Sequence, residues 1–298
     1  MKILVSGASG SLGSQLIHRM SGRYQLGAIT RNPDSLKFDD LTIHNLDLTS
    51  GDLSNIFSDY DVFIHCAAFA SGYGKKSQFN ANVEMVERML PYLESSGIFS
   101  VFISSASVFD DMPRKVLQKH PSIRPSSGYS KSKYDVEKLI LSSTYENWIG
   151  LRPRAVIGKG DKTLVPRIEN LIKKRFVIIP GGGQSLLDYT TMSDFLDAVE
   201  ASISAGAKAR FYNISSGNPM MFKEMLMQYS SRIHGIERSI DFPVFPLRII
   251  SSIFPNQRIN HYSLDQITKP MILDISDSKE ELNWRPKQSF EECLEELL

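Results

Sequence analysis

Only two of the 298 residues are cysteine, Cys66 and Cys293. They lie far apart and have no metal-ligand spacing. Neither a disulfide framework nor a thiolate metal site is expected, which fits a reducing compartment. The six histidines form no pair at zinc-binding spacing. An excess of one charge is also missing: 34 Lys plus Arg against 33 Asp plus Glu leave a net charge of +1. That balance gives no electrostatic reason to expect nucleic acid or an acidic membrane surface as a partner. No uninterrupted apolar stretch is long enough to span a bilayer. The early run Ile3-Leu4-Val5 is too short for the apolar region of a signal peptide. The expectation is a cytoplasmic protein with no membrane span. No internal repeat and no low-complexity segment is present.

What the sequence does contain is enough apolar material, 42% of residues, for a sizeable core. Its length suits one large domain, or a large domain with a smaller lobe. The first half alternates short apolar runs with helical patterns. Strands are expected at Lys2–Val5, Leu26–Thr30, Leu41–Leu46, Val62–Ala67 and Phe99–Ser104. Helical spacing falls between most of them, as in Leu12, Leu16, Ile17 and Met20, and over Val83–Glu94. Continuous apolar strands alternating with helices predict an α/β fold, a doubly wound parallel sheet covered on both faces. After about Gly158 the rhythm changes. Prolines and glycines cluster at Pro180-Gly181-Gly182-Gly183, at Asn218-Pro219 and from Pro243 to Pro255. Residues 1–158 are therefore expected to form the sheet domain, with the chain returning to it within 188–214, near Ala209–Ile214. Residues 159–298 are expected to form mainly a smaller C-terminal lobe.

Gly7-Ala8-Ser9-Gly10-Ser11-Leu12-Gly13 follows the first strand and opens the first helix. Glycines there permit a tight turn and a close backbone approach to a pyrophosphate, and the helix N-terminus offers free amides to the anion. The bland alternative is an ordinary glycine-rich turn. At the end of the second strand an acidic residue would bind the ribose 2′-hydroxyl of NAD. This chain has Thr30-Arg31-Asn32, and Arg31 is suited to a 2′-phosphate, as in NADP. It also reads as a solvated surface arginine. Asp47-Leu48 follows the third strand, where Asp47 is placed to contact adenine or to serve as a turn residue.

Tyr129-Ser130-Lys131-Ser132-Lys133 puts a phenol and an ammonium at i and i+4, on one face of a helix. A free tyrosine titrates near pH ~10, too high for efficient acid–base work at neutrality. A nearby Lys133 ammonium stabilises phenolate and lowers that value. Ser105 ends the fifth strand, where ligands bind in open α/β sheets, and its hydroxyl is placed to hold a substrate oxygen. Tyr-x-x-x-Lys alone is common by chance and also reads as a helix-surface contact. A glycine cradle before it, with a serine at a strand end between, makes it specific.

These residues together resemble the extended short-chain dehydrogenase/reductase family, over most of the chain. Gly7/Gly10/Gly13 resemble its cofactor turn, and Ser105, Tyr129 and Lys133 its catalytic triad. His65-Cys66-Ala67-Ala68 resembles its fourth-strand motif, which puts Ala67 in the cofactor set with Gly7, Ser9, Gly10, Ser11, Leu12, Gly13, Arg31, Asp47 and Leu48. Leu151-Arg152-Pro153, Gly158-Lys159-Gly160-Asp161, the 188–194 segment, and Leu282-Asn283-Trp284-Arg285-Pro286 resemble its later signatures. The resemblance implies a Rossmann sheet and hydride transfer at a nicotinamide. In it Tyr129 is the acid or base and Lys133 also holds the nicotinamide ribose. A small-molecule substrate and a helix-paired homodimer are implied too.

The departures narrow the reading. The family's dehydratases carry Asp-Glu after the catalytic hydroxyl; here Ala106-Ser107 stand there. Its nucleotide-sugar epimerases carry Asn where this chain has Ala155, and Arg where it has Leu187. The stretches Leu151-Arg152-Pro153-Arg154 and Leu164-Val165-Pro166-Arg167, with Arg31, resemble the 3β-hydroxysteroid dehydrogenase-like and ketone-reductase branch. The expectation is an NADP-linked enzyme, with NAD as the alternative. It would reduce a carbonyl or oxidise a secondary alcohol on a rather apolar substrate, without a metal. Two alternatives stand beside it: a nucleotide-sugar epimerase, and a non-enzymatic NADP-binding regulator, which the intact Tyr/Lys pair speaks against. Phe242, Val244, Phe245, Leu247, Ile249, Ile250, Ile253 and Phe254 read equally as an apolar lid on the pocket or a core-packing helix of the small lobe; a third reading, contact with a membrane surface, is disfavoured because only Arg248 and Arg258 supply nearby charge.

Overall fold

The computed structural model describes residues 1–38, 40–71, 74–109, 115–116 (backbone only), 127–253 and 260–298. Its centre is a seven-stranded parallel sheet. The strands are β1 (Lys2–Ser6), β2 (Gln25–Thr30), β3 (Leu41–Asn45), β4 (Val62–His65), β5 (Phe99–Ile103), β6 (Trp148–Pro153) and β7 (Phe211–Ile214). Across the sheet they run β7-β6-β5-β4-β1-β2-β3. The order reverses between β1 and β4. At such a switch point the loops leaving two adjacent strands diverge and open a crevice at their carboxyl ends.

Alternation along the strands builds two cores. Ile3 and Val5 of β1, Val62 and Ile64 of β4, and Val101 and Ile103 of β5 share one cluster with Leu16, Ile17 and Met20 of helix α1 (Ser11–Met20). Leu4, Phe63 and Phe102, the residues between them, join Val86, Met89 and Leu93 of α2 (Lys76–Ser96) and Val136 and Ile140 of α3 (Gly128–Ser142). The period of two therefore sends neighbouring residues to opposite faces, and both faces are covered. This is the expected doubly wound Rossmann-type α/β fold.

Several expected strands end a residue or two early: Leu46, Cys66, Ala67 and Ser104 already belong to the loops. The later chain returns to the sheet twice. Helix α4 (Met192–Ala205) packs beside α1, and β7 pairs with β6, Phe211 opposite Gly150. A third cluster, including Ile157, Ile179, Tyr189, Leu226, Tyr229 and Phe290, forms the core of the smaller lobe. Helices α5 (Phe222–His234), α6 (Val244–Ile253) and α7 (His261–Thr268) belong to this part of the chain. Among the described residues no helix is long and apolar enough to cross a membrane.

The described residues of the apolar stretch match neither the lid nor the core reading. Of the ten residues of α6 only Ser251 is buried, and Phe245 is 74% exposed. None of them lines the cleft described below. Phe254 and Pro255 lie outside the described residues.

Candidate active site

A cleft of about 560 Å³ lies over the carboxyl end of the sheet, between it and the small lobe. Its floor is the glycine turn. Gly7 has φ +66°, and a Cβ there would come 2.7 Å from the Ala67 backbone. The chain after β1 thus passes against the chain after β4 only because position 7 has no side chain. A Cβ on Gly13 would come 2.3 Å from the Gly7 carbonyl oxygen, so α1 starts tight against the turn. The Gly10 cap position has no side-chain hydrogen bond to the first helical amides. Gly10, Ser11, Leu12 and Gly13 all line the cleft. Uncapped amides at a helix N-terminus, with backbone that a Cβ would obstruct, fit a pyrophosphate. The residues present therefore suit a dinucleotide cofactor.

The rest of the predicted cofactor set lies around this floor. Ser9 accepts a hydrogen bond from the Thr30 hydroxyl at 3.0 Å, and its carbonyl accepts one from Lys162 Nζ at 3.2 Å. Ser11 Oγ donates to the Gly160 carbonyl and accepts from the Lys162 amide, both at 3.2 Å. The loop after Gly158 is thereby strapped to the start of α1. Lys162 was not singled out in the sequence. Arg31 and Asp47 face each other, Nη1 to Oδ2 3.5 Å, with Arg31 78% exposed. The Asp47 carboxylate accepts from the Thr49 amide and hydroxyl at 2.9 and 2.7 Å, which holds its pKa below the usual range. In this structure Asp47 is thus a turn residue as well as a neighbour of Arg31. Leu48 is buried, and its carbonyl receives the Arg88 guanidinium at 2.7 Å. Arg31, Asp47, Leu48 and Ala67 are not part of the cleft wall.

Ser105 and Tyr129 both line the cleft. Ser105 Oγ accepts the Ser107 amide at 3.1 Å, an arrangement in which its own proton points elsewhere. Tyr129 sits in the first turn of α3, which is capped by Ser127 Oγ accepting from the Ser130 amide at 3.0 Å. Lys133 lies one turn on but does not reach the cleft wall. It is 5% exposed, and its ammonium donates to the Ile103 carbonyl at 2.8 Å. Burial pulls its pKa down to about 8, with Cys66 and Glu137 opposing. Ala106 and Ser107 form a buried 3-10 turn.

Two features besides Lys162 were not foreseen. The first is the far wall: Phe222, Met225 and Leu226 of α5, with Tyr262, Gln266 and Ile267 of α7. The i, i+3, i+4 spacing of the α5 residues signals an apolar face, but that signal is the same for a pocket and a core. The second is Arg154. It is 5% exposed and lines the cleft, followed by Ala155 with φ +43°, a left-handed conformation that costs a residue with a side chain about 1–2 kcal/mol.

The model of the NAD dependent epimerase/dehydratase family matches residues 3–215. The chain belongs to that family. Family members are NAD-dependent oxidoreductases, epimerases and dehydratases. Its relatives diverge in chemistry. The chain is 23% identical to 2-alkyl-3-oxoalkanoate reductase of Stenotrophomonas maltophilia, covering 100% of this chain and 98% of that protein. It is 27% identical to isoform 2 of 3beta-hydroxysteroid-dehydrogenase/decarboxylase of Arabidopsis thaliana over 66% of this chain and 38% of that one. In fold it is similar to UDP-glucuronic acid 4-epimerase from Bacillus cereus, solved in complex with NAD. The TM-score is 0.79 at 21% identity, covering 99% and 94% of the two chains.

Proposed function

We propose that the protein is an NADP-linked oxidoreductase that reduces a carbonyl, or oxidises the matching secondary alcohol, on a rather apolar substrate. One observation carries the reading. Ser105 and Tyr129 share a cleft with the glycine turn, and much of the remaining wall is apolar, with Phe69, Leu164, Ile168, Phe222, Met225 and Leu226. The nicotinamide, when bound, supplies or accepts the hydride. In reduction, Tyr129 donates its phenolic proton to the carbonyl oxygen as charge grows there. Ser105 donates a hydrogen bond to the same oxygen, since its acceptor side is taken by the Ser107 amide. Lys133, buried one turn below on α3, supplies positive potential that favours loss of the Tyr129 proton. The two relatives named as acting on oxo and hydroxy groups favour this reading over the regulator.

Following NADPH oxidation against hydrophobic ketones, aldehydes and nucleotide sugars tests it. Turnover of an apolar ketone is expected, and turnover of nucleotide sugars alone would overturn the reading. The epimerase alternative has its own support in the fold likeness and in the cations Lys162 and Arg167 on the wall. Ala155 and Leu187 both stand on that wall, where the resemblance implies an asparagine and an arginine, so nucleotide sugars are expected not to bind in the micromolar range by calorimetry.

A further inference from the structure

We infer that Lys162, on the loop after Gly158, is a cofactor-binding residue whose ammonium holds the pyrophosphate of the dinucleotide. The inference deepens the cofactor assignment on which the proposed function rests.

The glycine turn offers an anion partial charge only. Ser14 is the first residue of α1 whose amide bonds back into the turn, to the Gly10 carbonyl at 3.0 Å. Among the described residues the amides of Ser11, Leu12 and Gly13 have no acceptor. Together with the helix dipole they amount to about half an elementary charge. A pyrophosphate diester carries a full negative charge on each phosphate. Residues 7–13 contain neither lysine nor arginine, so a whole cation has to come from elsewhere in the chain.

Lys162 brings one to this position. Its amide donates to Ser11 Oγ and its ammonium to the Ser9 carbonyl, both at 3.2 Å. Ser11 Oγ in turn donates to the Gly160 carbonyl. The backbone of Lys162 is thus anchored at one end of Ser9-Gly10-Ser11 and its ammonium at the other. The side chain therefore lies across the turn, and it lines the cleft. Among the described residues no carboxylate pairs with the ammonium. Asp161, next to it in sequence, is turned to the amides of Thr163, Leu164 and Val165. The ammonium's partner is a neutral carbonyl. Lys162 is exposed, so its charge is already solvated and a small rotation exchanges that carbonyl for a phosphate oxygen. A compact ammonium with rotatable donors suits such an exchange.

A nucleotide sugar also carries a pyrophosphate, and position decides between the two. Both contacts of Lys162 are with the cofactor turn, and neither is with Phe222, Met225, Tyr262 or Gln266 on the far wall. Assigned to the cofactor, Lys162 is withdrawn from the cations that a nucleotide sugar would use. Its role also differs from that of Arg31. A 2′-phosphate distinguishes NADP from NAD, whereas the pyrophosphate is common to both.

The test is titration of NADPH and NADH by fluorescence and of ADP-ribose by calorimetry. Lys162→Met should weaken all three by the same factor, about tenfold, the lower end for a hydrogen bond to a charged group because the lysine is exposed. The loss should shrink at high salt, which screens an exposed charge. Lys162→Arg should restore most of the affinity. The unliganded Lys162→Met protein should unfold at the same urea concentration as the unmodified one. A strap that merely holds the loop would instead lower that midpoint, and arginine would not rescue binding. Unchanged dinucleotide affinity in Lys162→Met overturns the inference. So does a loss confined to NADPH, which would move the lysine to the 2′-phosphate. UDP-glucose is titrated separately into protein saturated with NADPH. Binding there that Lys162→Met abolishes, with cofactor affinity unchanged, places the lysine on the substrate and overturns the inference too. Failure of the unmodified protein to bind either dinucleotide sinks the cofactor assignment and this inference together. The expected loss of affinity, with no ketone or aldehyde turned over, sinks only the oxidoreductase reading.

Discussion

Arg152 and Glu137 form a two-pronged ion pair beneath the cleft, Nε to Oε1 2.9 Å and Nη2 to Oε2 2.6 Å, with side chains 9% and 2% exposed. Ser104 Oγ donates to the same Oε1 at 2.5 Å, and the guanidinium stacks over Phe109 and Phe211. Glu137 lies one turn beyond Lys133 on α3, so the pair fastens the helix of Tyr129 to β6. Removing one partner strands a buried charge. Arg152→Met is expected to cost about 3–5 kcal/mol in urea unfolding, and the double variant Glu137→Leu/Arg152→Met less than the two single losses added. A loss below about 1 kcal/mol for Arg152→Met would mean the pair is not held as described.

Arg152 and Arg154 also mark where sequence reading stops. They stand two apart around Pro153, and an ideal strand would turn them to one face. Yet one goes under the sheet to Glu137 and the other into the cleft, because β6 ends at Pro153 and the chain turns at Ala155 with φ +43°. That turn is tertiary information. The strands of the nucleotide half were legible because each is a continuous apolar run. The Gly7 turn and Tyr129 were legible because their spacing has a chemical reason. The walls were not. Phe222, Met225 and Leu226 face the cleft, while Phe245, Ile249 and Ile253 of α6 face outward, and helical periodicity alone does not separate the two cases. Lys133 was legible as a residue one turn from Tyr129, but not as a group docked on the Ile103 carbonyl.

His65 gives the fold a pH dependence. It is 4% exposed, hydrogen-bonded through Nδ1 to Ser6 Oγ at 2.8 Å. Burial, with Lys133 adding to it, pulls its pKa down to about 3 from 6.5. Between those values the unfolded chain takes up a proton that the native state refuses, so stability falls as pH drops through this window. The term is absent above pH 6.5 and amounts to roughly 2 kcal/mol at pH 5. Urea unfolding at pH 7 and pH 5 should show the loss, and His65→Leu should flatten it whatever its effect on stability at pH 7. An unchanged slope would show that other groups carry it.

Arg31 should set the choice between cofactors. Its ion pair with Asp47 is exposed and worth about 0–1 kcal/mol, so a 2′-phosphate competes for the guanidinium at little cost. The unmodified protein is expected to bind NADP(H) more tightly than NAD(H), and Arg31→Asp to reverse the order. Fluorescence titration with both cofactors decides this. Equal affinities in the unmodified protein would return Arg31 to the solvated surface.

Tyr129, Ser105 and Lys133 should fail in three different ways when altered, because the structure puts them in three different places. Tyr129 lines the cleft and is assigned the proton. Tyr129→Phe should keep cofactor affinity and lose about 10²–10⁴-fold in turnover. Ser105 holds its acceptor side to the Ser107 amide and is assigned the growing charge on the substrate oxygen. Ser105→Ala should lower kcat with little effect on cofactor binding, as expected of a contact strongest in the transition state. Lys133 lies behind the wall with its ammonium on the Ile103 carbonyl. Two effects are expected of Lys133→Met: lower turnover, and weaker cofactor binding if the ammonium swings toward the nicotinamide ribose once cofactor is present. Its pKa of about 8 adds a sign. Turnover by the unmodified enzyme should decline above about pH 8 as Lys133 loses its charge, and Lys133→Met should lack that limb. Steady-state kinetics against pH, with cofactor titration of each variant, separate these outcomes. Near-full activity of Tyr129→Phe would remove Tyr129 from the mechanism. Unchanged cofactor affinity in Lys133→Met would confine Lys133 to tuning the phenol from where the structure now places it.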